Sequence, residues 1–202
     1  MQSKRPPYLA HLTLDKRLEP LLKAHKPMVI EPSEDVWLNL TGAVMSQQLS
    51  TRVASVIRGR FIDLYDGKPE PERVLATPLP TLRGIGLSNA KAGYVQNISR
   101  FALEKGMAFD RLQQMEDGEV IDYLTEIKGV GRWTVEMLLM FSLGREDVFA
   151  IDDLGIQQAM IKIYRLKTDD KKVLRERLLK ISRKWSPYRT YACLHLWRHK
   201  DV

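Results

Sequence analysis

The sequence predicts an all-α fold in which two helical lobes flank a central cleft and one helical pair is joined by a glycine turn. Three observations lead there. Apolar residues recur at three- and four-residue spacing along most of the 202 residues. No two stretches alternate apolar with polar as paired strands would. Glycine and proline break the periodic runs into about ten segments of helical length.

Leu9, Leu12, Leu18, Leu21 and Leu22 give one or two short helices, interrupted by Pro20 and Pro27. Ser33 reads as the cap of a helix carrying Val36, Trp37, Leu40, Val44 and Met45. An amphipathic helix follows over 51–65. Short helices and turns then lie among Gly67, Pro69, Pro71, Pro78 and Pro80. Further helices are predicted over 90–104, 118–127, 133–143, 154–164 and 169–185. Ser186 and Pro187 read as a cap and first-turn proline opening a last helix over 188–199. No low-complexity linker divides the chain. We expect a single catalytic unit over 1–202, with one lobe at about 40–150 and the other formed by 1–39 packed with 151–202.

The 44% hydrophobic content supports a packed core, and 32 Lys+Arg against 25 Asp+Glu leave a net charge of +7. Such a balance favours an anionic partner, nucleic acid above all. With Cys193 the only cysteine, disulfides, four-cysteine zinc sites and iron–sulfur clusters held within the chain are excluded. The start has no apolar leader, and the longest clean apolar run, Met137 to Phe141, is too short for a membrane. A soluble intracellular protein is expected.

The most informative segment runs from Leu124 to Thr134 and places Gly129 and Gly131 between a helix end and a helix start. Glycine tolerates positive φ and close backbone approach. The amides and dipole at the head of the next helix attract an anion. With Lys128 and Arg132 flanking and Thr134 in the first turn, the hairpin suits a DNA phosphate held without sequence reading. A plain helical turn with a glycine cap has the same spacing; the flanking cations and net charge favour DNA. An internal echo, Leu82-Arg-Gly-Ile-Gly-Leu against Ile127-Lys-Gly-Val-Gly-Arg, is read as structural.

Some twenty residues after the hairpin come Asp152 and Asp153, ahead of the apolar helix at Leu154. One aspartate suffices to cap a helix. The second carboxylate therefore needs another role.

The order of these segments resembles the helix-hairpin-helix–GPD DNA glycosylases, and the residues from Gly129 to Ile156 look closest to the 3-methyladenine DNA glycosylase II branch. Met45-Ser-Gln-Gln-Leu-Ser and Trp185-Ser-Pro-Tyr-Arg-Thr-Tyr extend the likeness to about residues 35–199. The resemblance implies double-stranded DNA with alkylated bases as the partner, and Asp153 as the essential carboxylate beside a structural Asp152. Trp133 and Trp197 would be base-pocket rings, with Trp37 a neighbour. The segment of Gln47, Gln48 and Leu49 would fill the gap left by a flipped base, Gln48 first; some relatives place an apolar wedge there. The resemblance further implies a monovalent cation, sodium or potassium, on the backbone carbonyls of Thr125, Ile127 and Val130, with no other cofactor.

Relatives that also nick DNA carry a lysine where this chain has Trp133, so hydrolysis by water and an intact strand are expected. Larger relatives carry an additional N-terminal α/β domain, whereas about 35 residues precede the shared core here. We expect a monomer with no obligate protein partner and no membrane, in the nucleoid or the nucleus according to its source. The competing readings are a non-catalytic helix-hairpin-helix module, and a glycosylase for oxidised or mismatched bases.

Overall fold

The computed structural model describes residues 6–200, with side chains described through His199. Residues 1–5, in which the absence of a leader was read, and residues 201 and 202 lie outside the described residues. In chain order the helices are α1 (Pro7–Leu12), α2 (Glu19–Ala24), α3 (Val36–Ser46), α4 (Thr51–Asp63), α5 (Pro71–Ala76), α6 (Leu79–Gly84) and α7 (Asn89–Glu104). They continue with α8 (Phe109–Gln113), α9 (Asp117–Thr125), α10 (Arg132–Phe141), α11 (Leu154–Tyr164), α12 (Lys171–Ser182) and α13 (Arg189–Lys200). A single 3₁₀ turn, Arg183–Trp185, follows α12, and no strand occurs among the described residues. The chain is all-α, as its periodicity predicts.

Two compact units emerge, one of residues 32–143 and one of residues 1–31 with 144–202. In the first, α7 packs against α3, α5 and α6, and α3 also meets α4 and α10. Ala92, Val95, Ile98 and Ser99 line the buried face of α7. Val36, Trp37, Leu40, Val44 and Met45 do the same on α3, where each fully buried large side chain is worth about 1.5–3 kcal/mol. The cap of α3 is Asp35, not Ser33. The Asp35 carboxylate accepts the Leu38 N–H at 3.1 Å, whereas the Ser33 hydroxyl accepts a bond from Asn39 Nδ2.

In the second unit α13 packs on α11 and α2. Tyr8 stacks on Tyr191 with centroids 4.0 Å apart. The Tyr164 hydroxyl and Trp185 Nε1 both donate to Asp15 Oδ2, at 2.7 and 3.2 Å. The last helix starts at Arg189, one residue after the predicted 188, and Ser186 is not its cap; the Ser186 hydroxyl instead donates to Asp147 Oδ2 at 2.7 Å.

His195 is fully buried on α13, its Nδ1 3.4 Å from Nδ1 of His25 at the end of α2. Burial foremost, then the charges of His25 and Arg198, lowers its pKa to about 4. The unfolded chain therefore takes up this proton first. Stability from this group is complete above about pH 6.5, falls as the pH drops toward 4, and levels off below, a loss of up to about 3 kcal/mol. Denaturant midpoints at pH 7.5 and 4.5 should show this. His195→Asn should flatten the dependence in that window; an unchanged pH profile in the variant would rule the histidine out as its source.

Candidate active site

Asp153 ends the loop before α11 and caps that helix. Its Oδ1 accepts the Ile156 N–H at 2.9 Å and the Trp197 Nε1–H of α13 at 2.9 Å. The carboxylate is half-buried, so it keeps an exposed portion while its orientation is set by two donors from two elements. Asp152 is spent differently, in an ion pair with Arg175 of α12. That pair links the loop before α11 to α12.

A chain of bonds along the first turns of α13 positions this carboxylate. Arg189 grips Asp147 with two guanidinium bonds, Nε to Oδ1 at 2.7 Å and Nη2 to Oδ2 at 2.9 Å. Burial raises the Asp147 pKa, but the bonds from Arg189 and Ser186 outweigh it and leave the group below the usual carboxylate range. One residue on, the Thr190 hydroxyl accepts the Val148 N–H at 3.0 Å and donates to the Arg145 carbonyl at 2.6 Å. The loop before Asp153 is therefore stitched to the same helix whose Trp197 reaches Asp153. Asp147, Arg189 and Thr190 escape sequence reasoning, because an Asp and an Arg 42 residues apart carry no local signal.

The glycine turn joins α9 to α10. Gly129 has φ +103°, and a Cβ built on it would overlap the Tyr94 ring of α7. The Asn97 side chain, also on α7, donates to the Lys128 carbonyl at 3.1 Å. Gly131 differs: it caps α10 with an ordinary φ of −97° and open space where a Cβ would stand. Lys128 and Arg132 are exposed, and Arg132 Nε bonds Glu136 Oε1 at 2.9 Å, which offsets part of its charge.

The phosphate role read for Thr134 needs correcting. That residue is 2% exposed, its N–H bonds the Gly131 carbonyl, and its hydroxyl accepts Gln47 Nε2 at 3.0 Å.

Between α3 and α4 the same bond ties Gln47 to the hairpin helix, so Gln47 braces the turn and leaves the projecting positions to its neighbours. Gln48 and Leu49 are exposed, and Gln48 has φ +58°. Of the tryptophans, Trp133 stands 36% exposed in the first turn of α10 and Trp197 bonds Asp153. Trp37 is corrected from pocket to core: it is 8% exposed, and its Nε1 donates to the buried Ser99 hydroxyl at 3.3 Å.

Residues 41–184 match the HhH-GPD superfamily of base excision DNA repair proteins. The chain belongs to that superfamily. It is 33% identical over 186 residues to DNA-3-methyladenine glycosylase 1 of Schizosaccharomyces pombe, covering 91% of this chain and 80% of the relative. It is 33% identical to Bacillus subtilis YfjP over 87% of this chain, and spans 62% of that protein's length. The solved complex of Schizosaccharomyces pombe Mag1 with abasic DNA superposes with a TM-score of 0.87 at 31% identity, covering 98% of each chain. Within the matched residues the hairpin between α9 and α10 precedes Asp153, which heads α11.

The donor chemistry of Thr125, Ile127 and Val130 fits a hard monovalent cation. These are backbone carbonyls, that of Thr125 at the C-terminal end of α9, where the helix dipole is negative, and those of Ile127 and Val130 in the turn that follows. The Ile127 oxygen already accepts the Val130 N–H at 2.9 Å, and its second lone pair would serve an ion. Among the described residues no cluster of His, Cys, Asp and Glu forms a metal site.

Proposed function

We propose that this chain is a monofunctional DNA glycosylase that flips alkylated purines, of the 3-methyladenine and 7-methylguanine type, out of double-stranded DNA and hydrolyses the base–sugar bond. The observation that carries this is a half-exposed aspartate with its oxygen fixed by the Ile156 and Trp197 N–H groups, in an HhH-GPD chain. Its relatives named as 3-methyladenine glycosylases support the substrate class.

The chemistry follows from charge. An N3- or N7-alkylated purine is already cationic and leaves neutral, taking the electron pair of the glycosidic bond, so protonating it is unnecessary. Positive charge then develops on the sugar, and an anionic Asp153 stabilises it or orients the water that attacks the anomeric carbon. Trp197, which bonds Asp153, offers an electron-rich face to a cationic base, worth about 1–2 kcal/mol when desolvated, and the exposed Trp133 of α10 is a second such ring. Gln48 and Leu49 fill the vacated stack. Lys128, Arg132 and the amides at the head of α10 hold the strand through its phosphates, with Gly129 and Gly131 keeping the backbone accessible. No redox or metal cofactor is needed. A sodium or potassium ion on the Thr125, Ile127 and Val130 carbonyls would add positive charge for the phosphate.

Position 133 holds an indole where a Schiff base would require an amine, so the product is an abasic site in an unbroken strand. No described helix is long and apolar enough to cross a membrane. The protein acts as a monomer wherever its genome lies, nucleoid or nucleus, without an obligate protein partner.

The test is incubation with methylated DNA and identification of the freed bases by mass spectrometry. Methylated purines should appear, and the strand should break only after alkali. Borohydride trapping of an enzyme–DNA adduct, or nicking without alkali, would contradict the monofunctional assignment.

A further inference from the structure

The turn after α3 is held from two sides in a way that helix termination alone does not require. Lys91, in the first turn of α7, is half-buried and donates from Nζ to the Met45 carbonyl at 2.9 Å and to the Gln47 carbonyl at 2.5 Å. From α10, Thr134 receives the Gln47 side chain at 3.0 Å. Within the turn, the Gln47 N–H bonds the Val44 carbonyl and the Leu49 N–H bonds the Ser46 carbonyl. Met45 to Gln47 are thus pinned while the Gln48 and Leu49 side chains stay exposed.

The Met45 bond is what a cation at a helix C-terminus ordinarily does. The Gln47 bond is different. That carbonyl lies beyond the helix, where the backbone has already turned to ψ 133°. Because the peptide unit is planar, fixing the Gln47 oxygen fixes the plane that also contains the Gln48 nitrogen. The torsion left on the Gln48 side is φ, and it sits at +58°, a region a non-glycine residue occupies at a cost. A half-buried lysine supplies the constraint, and its partial burial lowers its pKa.

We propose that Lys91 is a positioning residue for DNA probing: by clamping the carbonyls of Met45 and Gln47 it holds Gln48 in the left-handed conformation from which that side chain enters the base stack. This rests on the glycosylase function proposed above. Lys91 touches neither the sugar nor the base in this role and acts through Gln48. A rigid turn inserts without ordering itself first, so the clamp lowers the cost of opening a paired, stacked site.

The test compares Lys91→Met and Lys91→Gln with the wild-type protein in single-turnover release of 7-methylguanine from two duplexes. In one the lesion is paired with cytosine; in the other it faces an abasic site, where extrusion is easy. The loss for Lys91→Met on the paired duplex should exceed its loss on the second duplex by about tenfold, with Lys91→Gln between it and wild type. A 2-aminopurine placed next to the lesion should report a matching loss of flipping amplitude. Thermal melting checks that each variant is folded, and the ratio of the two losses is insensitive to the fraction of active protein. A ratio near one for folded variants, or full flipping amplitude in both, overturns the role. If the wild-type protein releases no base from either duplex, the failure lies with the glycosylase function and not with Lys91.

Discussion

Asp153→Asn should abolish release of alkylated purines while leaving DNA affinity unchanged or raised. The substitution is close to isosteric, and the asparagine carbonyl oxygen can accept the same bonds from the Ile156 N–H and Trp197 Nε1 that Oδ1 accepts now. Asparagine is also as good a helix cap as aspartate, so α11 keeps its start. What disappears is the negative charge. If that charge stabilises the sugar cation or directs water, the single-turnover rate should fall by at least about 10³-fold. Affinity should not fall, because a carboxylate near phosphates repels them. Trp197→Phe separates charge from orientation: the ring remains, the N–H donor goes, and the rate should drop about 10- to 100-fold through loss of one bond to a charged group. Near wild-type release of 7-methylguanine by the asparagine variant would mean that Asp153 is not the catalyst.

That contrast marks where sequence reasoning reaches and where it stops. Leu154–Tyr164 was legible with both its bounds, because a capping aspartate, helical periodicity and a left-handed Arg165 all act within the segment. The cap of α13 was not, although its start was placed within one residue. Ser186 followed by proline has the local form of a cap, and only the fold brings Asp147 within 2.7 Å to claim its hydroxyl. Ser33 and Asp35 are both good caps and stand two residues apart, so local preference could not choose between them.

The same limit governs the site. The aspartate pair stood out because two carboxylates ahead of an apolar helix exceed what capping needs, but only the motif order resembling a known family pointed to Asp153, which is itself the cap. Trp37 could not be separated from a pocket ring, since apolar spacing on a helix is the same whether the face meets core or ligand. Thr134 lay in the right motif, yet its hydroxyl faces Gln47, 87 residues away in sequence. Lys91 offered no signal at all. A lysine in the first turn of a helix is ordinarily solvated, and its two carbonyl partners lie more than forty positions upstream.

The largest effect outside the carboxylate should come from Gly129→Ala, with Gly131→Ala as its contrast. The two glycines look equivalent in the motif, but their backbones differ. At Gly131 φ is −97° and no atom occupies the space around an added Cβ, so alanine loses only glycine's advantage as a helix cap and should cost about 0.5–1 kcal/mol. At Gly129 the positive φ of +103° strains any L side chain, and the added methyl must displace the Tyr94 ring. Together these should cost a few kcal/mol, visible as a lowered denaturant midpoint. The Lys128 carbonyl sits one peptide away and is held by Asn97, so the displaced turn also moves the amides at the head of α10 that we propose bind phosphate. DNA affinity should therefore fall, by about tenfold or more, with a shallower salt dependence. Adding Tyr94→Ala to Gly129→Ala removes the steric part and leaves the φ part, so the double variant should lose less stability than the sum of the two single losses. Equal behaviour of Gly129→Ala and Gly131→Ala in both stability and DNA binding would refute this account of the turn.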